Sequence, residues 1–381
     1  MLKNKTILLG LLLFVYNFTV AQDNMSTADT SKNEANSDKV AKLIEKVFKY
    51  APLPFVGYST ETSTLFGITK YNGFKVKSSS LADSLIQPSS ILLYGYYTAN
   101  KQYKVNLSVD LMHGDNKYNS KFDFLILDYP SLYFGIGNET SEDDGVFIDF
   151  KNVLVSPSFD YNFFENMYIG VKYTYNNYIN VKPIEEDTLL RDALISDNEG
   201  IQSGFGLRFI REKRDNRIRA QKGSYIFMSY DMYGKMLGSE HSYNSFVFDA
   251  RKYSTPIPQL TIAGQLYSEI KTGDVPIQSM AVLGGTERMR GIYENRYRDK
   301  TVVMSQLELR FPIVWIIGGT TFGGLGQVAP TYGDFKFDEF KYGYGAGLRL
   351  LIDEKTSSVL RFDVSFREGG HSIFVGFNEA F

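Results

Sequence analysis

The sequence predicts an all-β chain: a 16-stranded antiparallel transmembrane β-barrel preceded by a signal peptide and one short amphipathic helix. Three observations predict it. From Leu53 to the C-terminus, apolar and polar residues alternate with period two, in segments of about ten residues. Aromatic residues make up 15% of the 381 residues, as 29 Phe and 27 Tyr against 1 Trp, with 33 Gly, yet mean hydropathy is only −0.20. That balance suits a wall showing aromatics to lipid and polar groups to water. Finally, the N-terminus carries an export signal, and no later stretch is apolar enough for a spanning helix, so membrane crossing falls to strands.

The elements follow in order. Lys3 and Lys5 precede the apolar run Ile7–Val20, and Ala21 closes it with Thr19 two residues before; this reads as a signal peptide over residues 1–21, cleaved after Ala21. Residues 22–38 are rich in Ser, Thr, Asn and Asp and lack aromatics, as expected of a disordered tether that cannot bury a core. Val40, Leu43, Ile44, Val47 and Phe48 share one helical face, predicting a short amphipathic helix over 39–50 that ends before Pro52 and Pro54. The barrel domain then occupies 51–381.

Sixteen strands are expected, starting near Pro54, Thr64, Ile91, Gln102, Lys117, Phe147, Met167, Ile201, Gly223, Ser242, Leu260, Thr301, Ile316, Tyr342, Ser358 and Ser372. An even count returns both ends to one side. Most long connections then fall outside, among them Tyr129–Val146, Lys182–Gly200, Thr272–Lys300 and Pro330–Lys341, while tight turns such as Phe163–Asn166 and Asp353–Thr356 fall inside. Lys77–Ser90 is a long connection on the inner side, so two strands more or fewer remain open. In Val303–Phe311 one face holds Val303, Ser305, Leu307, Leu309 and Phe311, and the other Met304, Gln306, Glu308 and Arg310. A soluble β-sandwich shows the same alternation; the export signal, the regular hairpins and the terminal Phe381, with Phe377, Val375 and Ile373 on its face, favour the barrel.

Composition excludes several classes of function. The formal charge of −2 from 41 basic and 43 acidic residues argues against nucleic acid as a partner. With no cysteine, disulfides, thiolate metal sites and cysteine nucleophiles are all ruled out. His113, His241 and His371 are the only histidines. No metal spacing, phosphate-cradling loop or serine-centred elbow accompanies them, so no catalytic residue, metal or cofactor is expected.

The least ordinary segment is Leu283–Lys300, which gathers Arg288, Arg290, Arg296, Arg298 and Lys300 around Gly284, Gly285 and Gly291 inside the longest outer loop. One reading is a solvated basic loop. The other folds it into the barrel, where acids on the inner wall must compensate it. Here the sequence resembles the BamA/TamA family of outer-membrane insertases, the bacterial surface antigen family. Those barrels have sixteen strands and a sixth loop that enters the lumen carrying a (Val/Ile)-Arg-Gly-(Phe/Tyr) motif. This chain has Met289-Arg290-Gly291-Ile292-Tyr293 between the eleventh and twelfth expected strands, its aromatic one place late. The resemblance implies that Arg290 pairs with an acid on each of the next two strands. Glu308 matches the first; Phe322-Gly323-Gly324-Leu325-Gly326-Gln327-Val328 places glycine where the second belongs. Arg214-Asp215-Asn216, followed by Gly223-Ser224-Tyr225 and with Ala220 replacing a customary proline, resembles the turn before strand nine. Val375–Phe381 resembles the terminal strand signal carried by Phe377 and Phe381.

Family members that assemble other barrels carry periplasmic POTRA domains, which the segment between Ala21 and Pro52 is too short to hold; the resemblance implies a barrel-only relative. It also implies a bacterial outer membrane location. The expected partners are outer-membrane lipid and client or accessory outer-membrane and periplasmic proteins, with assistance in protein insertion as the function. The alternative is a passive channel or structural barrel, its lumen lined by Lys104, Asp110, Arg208, Asp249, Arg251, Arg349, Arg361 and Asp363.

Overall fold

A computed structural model describes residues 39–40, 42–43, 45–59, 63–78, 80–141, 145–183 and 198–381. The expected signal peptide and tether lie outside the described residues. The chain divides into Met1–Val47 and Phe48–Phe381. In the first unit and just beyond it, the described residues between 39 and 50 are helical, with Val40, Leu43 and Val47 exposed.

The second unit is a wall of sixteen strands: β1 Leu53–Ser59, β2 Ser63–Phe74, β3 Ser89–Thr98, β4 Tyr103–His113, β5 Tyr118–Asp128, β6 Val146–Phe164, β7 Met167–Pro183, β8 Gly200–Glu212, β9 Gly223–Tyr233, β10 Tyr243–Ile257, β11 Leu260–Gly273, β12 Thr301–Val314, β13 Ile317–Ala329, β14 Lys341–Asp353, β15 Ser358–Arg367 and β16 Gly370–Phe377. Each pairs antiparallel with the next from β1 through β16. Three shorter strands accompany them. Ser131–Tyr133 continues the pairing on β6 beyond the end of β5, while Ala281–Leu283 and Tyr297–Asp299 form a separate hairpin inside the β11–β12 loop.

Among the described residues the wall strands number sixteen, with the long β2–β3 connection on the inner side. Closure differs from the expected cylinder: among the described residues no ladder joins β1 to β16. The meeting of the two ends is made lower down and by side chains. Tyr71 of β2 stacks on Phe377 with ring centroids 5.0 Å apart, and its hydroxyl lies 3.1 Å from Ser358 Oγ and accepts from Asn378 Nδ2 at 3.0 Å. β1 is too short to reach this level, since its first residue, Leu53, pairs with Thr69.

Period two governs burial as it governs sequence. On β12, Met304, Gln306, Glu308 and Arg310 are buried, while Ser305, Leu307 and Phe311 are exposed. Ile169, Leu207, Leu266, Leu325 and Val364 are likewise exposed on the outer face. Exposed Phe163, Phe164 and Trp315 ring the inner end and Tyr97, Tyr342 and Phe366 the outer, as aromatic girdles do at the two membrane interfaces. No described helix is long and apolar enough to cross a membrane. The inner turns are tight because small or amide side chains tolerate left-handed backbone: Asp115 and Asn116 have φ of 61° and 62°, and Asn166 of 64°.

The tail corrects one expectation. Phe381 does not continue the lipid-facing row of Ile373 and Val375, which are 60% and 63% exposed. Strand β16 ends at Phe377, Asn378 turns the backbone with φ 64°, and Ala380 and Phe381 are buried against Ala220, Tyr253 and Ala263. Phe381 is 6% exposed.

Candidate functional site: an inward loop held by an ionic lattice

The β11–β12 loop turns into the barrel. Its hairpin pairs Ala281 with Asp299 and Leu283 with Tyr297. Between these strands, Leu283, Met289 and Ile292 form a buried apolar cluster with Tyr267, Val302, Met304 and Val328 of the wall. Strand β13 permits this approach through its glycines: a Cβ at Gly324 would meet Met289 Sδ at 2.9 Å, and one at Gly326 would overlap Leu283. Gly291, with φ 108°, passes so close to β15 that a Cβ would meet Phe366 O at 2.8 Å. The reading of this segment as a solvated basic loop is thereby excluded, since Arg290, Arg296 and Arg298 are all buried.

Arg290 ends between two carboxylates. Its Nη2 donates to Glu308 Oε2 on β12 and its Nη1 to Asp363 Oδ2 on β15 at 2.9 Å. The guanidinium lies 3.5 Å from the Phe322 ring centroid, a stacked cation–π contact on β13. The second acid thus comes from β15. β13, where the resemblance places that acid, supplies the ring instead.

The lattice extends downward by alternation of charge. Arg310 Nε donates to Glu308 Oε1 at 2.7 Å, Arg349 Nη1 to Asp363 Oδ1 at 2.6 Å, and Arg349 Nε to Glu379 Oε2 at 2.6 Å. Arg310 also donates to the Ala220 and Phe381 carbonyls at 3.2 and 2.9 Å. Arg219 of the β8–β9 turn pairs with Glu379 at 3.3 Å. Burial pushes the Glu379 carboxyl up, but Arg310 and Arg349 outweigh it and hold it below its ordinary value. Pairing of this kind is what lets charges persist where water is excluded.

A second inward element closes the lower lumen. In the β8–β9 turn, Asp215 Oδ1 accepts from the Gln221 and Lys222 amides, and Asn216 Oδ1 from those of Ile218 and Arg219. These side-chain-to-backbone bonds shape a loop that needs no proline at 220. Arg214 grips Glu212 with two bonds of 2.8 and 2.6 Å, and Arg217 reaches Asp110 on β4 at 2.8 Å. A cavity of about 320 Å³ remains between this turn and the wall, bordered by Asp110, Lys121, Glu212, Arg217 and Phe377.

The other expected site residues fall elsewhere. Tyr293 is not beside Arg290; it meets Phe134 edge-on at 5.9 Å. Phe377 marks the foot of the seam against Tyr71, and Phe381 the floor of the lumen. Sequence reasoning missed Asp363, Arg349, Glu379 and Arg219 as partners of this lattice. The alternation on β14 and β15 put Arg349 and Asp363 on the polar face, but which polar neighbours meet is set by register. Both ring nitrogens of His241 are engaged, by Asp274 at 3.2 Å and the Glu199 carbonyl at 3.1 Å, while Ser239 Oγ donates to the His241 carbonyl.

A sixteen-strand wall with a lipid-facing apolar surface, and a loop between strands eleven and twelve fixed to its inner face by a buried arginine, defines a bacterial outer-membrane β-barrel. The chain belongs to the Omp85 superfamily, whose domain matches residues 72–353. In fold it is similar to BamA from Haemophilus ducreyi lacking POTRA domains 1-3, at 13% identity over 91% of this chain and 77% of that one, with a TM-score of 0.52. CdiB from Acinetobacter baumannii also matches, at 12% identity over 86% of this chain and 58% of that one, with a TM-score of 0.49. No curated protein matches significantly in sequence.

Proposed function

We propose that this barrel assists the assembly or translocation of outer-membrane proteins together with a partner protein. The observation that carries the reading is the seam. β1 is bonded only to β2 and β16 only to β15 among the described residues. Each presents a row of peptide groups that hydrocarbon cannot satisfy. Such an edge lowers its energy by accepting a strand from another chain, which is the elementary act of templated barrel assembly. In this reading Arg290 and Gly291, held by Glu308, brace the strands behind the β16 edge, and Phe377 with Tyr71 keeps the foot of the seam shut. The test is reconstitution: client barrels are expected to fold faster in liposomes containing the protein than in bare liposomes. Equal rates, with and without added periplasmic extract, overturn the reading.

The alternative, a passive channel, finds less support in a lumen crossed by the Arg290–Glu308–Asp363 lattice. Planar bilayers containing the parent protein are expected to show no steady open current, and Arg290→Ala to introduce one. A steady current in the parent favours the channel.

A further inference from the structure

At the outer mouth, the inward loop and the wall enclose a second, smaller cavity of about 70 Å³, bordered among others by Tyr133, Phe150, Tyr178, Gln278, Asn295 and Arg298. Among the described residues that border it, the one charged side chain is Arg298, only 7% exposed. Nη1 donates to the Ile277 carbonyl at 3.2 Å and Nη2 to that of Asn295 at 3.4 Å, while Nε is buried without a partner. The Gln278 amide is buried with neither its oxygen nor its nitrogen bonded. No carboxylate among the described residues lies within ion-pair distance of Arg298. Burial pushes its pKa down, and only the phenols of Tyr133 and Tyr178 push it back. Its neighbours in the loop also bury an unbonded Nε but have stronger partners than the Tyr133 ring, 5.3 Å from the Arg298 guanidinium. Arg290 has two carboxylates. Arg296 donates to Thr140 Oγ1 at 2.6 Å and lies 4.4 and 4.5 Å from the Phe134 and Tyr297 rings.

A buried guanidinium with no counter-charge among the described residues, beside an amide bonded at neither end, is costly. We propose that this cavity binds a small hydroxycarboxylate. Arg298 Nε–H and Gln278 Nε2–H are two donors backed by one positive charge, which matches one carboxylate group. A phosphate dianion would remain under-compensated. Gln278 Oε1 needs a donor in return. An ammonium group would be repelled by the guanidinium, so a hydroxyl fits best. The Tyr133, Phe150 and Tyr178 rings supply apolar sides for the carbon-bound hydrogens. Two sources carry this chemistry, a free α-hydroxy acid and a uronate residue at the end of an acidic glycan. The cavity lies at the outer ends of β6 and β7, where either arrives from outside the cell.

The experiment is calorimetric titration of the purified, folded barrel in detergent with lactate, galacturonate, acetate, glycerol and inorganic phosphate. Saturable binding of lactate or galacturonate is expected, weaker binding of acetate, and none of glycerol. Lactate without galacturonate identifies the free acid as the source, and galacturonate without lactate the glycan end. Gln278→Leu is expected to weaken binding by about tenfold while leaving the heat-modifiable migration of the folded barrel unchanged. Arg298→Lys, which keeps the charge and loses Nε, is expected to weaken it similarly; should that variant fail to fold, Gln278→Leu decides alone. No saturation by either hydroxycarboxylate, unchanged affinity in Gln278→Leu, or phosphate binding tighter than both overturns the proposal, leaving a cavity that holds water only.

Discussion

Arg290 is the residue on which most of the loop's placement converges, and removing it takes away the cation that two buried carboxylates share, leaving Glu308 to Arg310 and Asp363 to Arg349. Arg290→Ala is therefore expected to destabilise the barrel by about 3–5 kcal/mol, read as a lower urea midpoint of the folded band. Asp363→Ala should cost about as much as Glu308→Ala, because the two acids flank the same guanidinium. A neutral effect at Asp363 would return the second acid to an unidentified place. Glu379 offers a test by pH. Its folded pKa is depressed by Arg310 and Arg349 despite burial. Its contribution is therefore present above the unfolded glutamate value and lost as pH falls through the folded one. Glu379→Gln should be less stable than the parent at neutral pH, with the difference vanishing in acid. At this scale the sequence was partly legible: Arg290 and Glu308 could be paired from motif order, whereas Asp363 could not, because a contact spanning 73 residues depends on how strands register around the wall.

The elements themselves were far more legible. Each of the sixteen expected starts falls within three residues of the strand observed, since alternation and turn chemistry are local and the wall imposes one strand period throughout. The three short strands were missed. Ala281–Leu283 and Tyr297–Asp299 lie in a loop whose hairpin exists only because the wall receives it, and three residues give alternation nothing to act on. The bend after Phe377 was missed for a related reason: the row Ile373, Val375 and Phe377 resumes at Phe381, and the one break in it, Glu379, was not read as a departure from the strand. The glycine-rich face of β13 is the element most open to test. Gly324→Val would drive a side chain into Met289, and Gly291→Ala would place a Cβ against the Phe366 carbonyl in left-handed backbone, costing about 1–3 kcal/mol from strain alone. Both variants should make the β11–β12 loop cleavable by added protease while the wall stays resistant.

For the whole molecule, the uneven bonding of the wall predicts uneven exchange. Amides of β1 and β16 should exchange with solvent deuterium faster than those of β6 and β7, which pair over most of their length. Comparable protection in all four would mean that the ends are zipped and would remove the basis for a templating edge. The inward loop carries a further consequence for biogenesis. Its anchors lie on β12, β13 and β15, so the arginine has no complete socket until nearly the last hairpin has been threaded. Seating is then a late and non-local event, and chains arrested before it would carry the loop outside. Its protection from protease during synthesis would thus serve as a clock, marking the moment at which a nascent wall becomes a finished one.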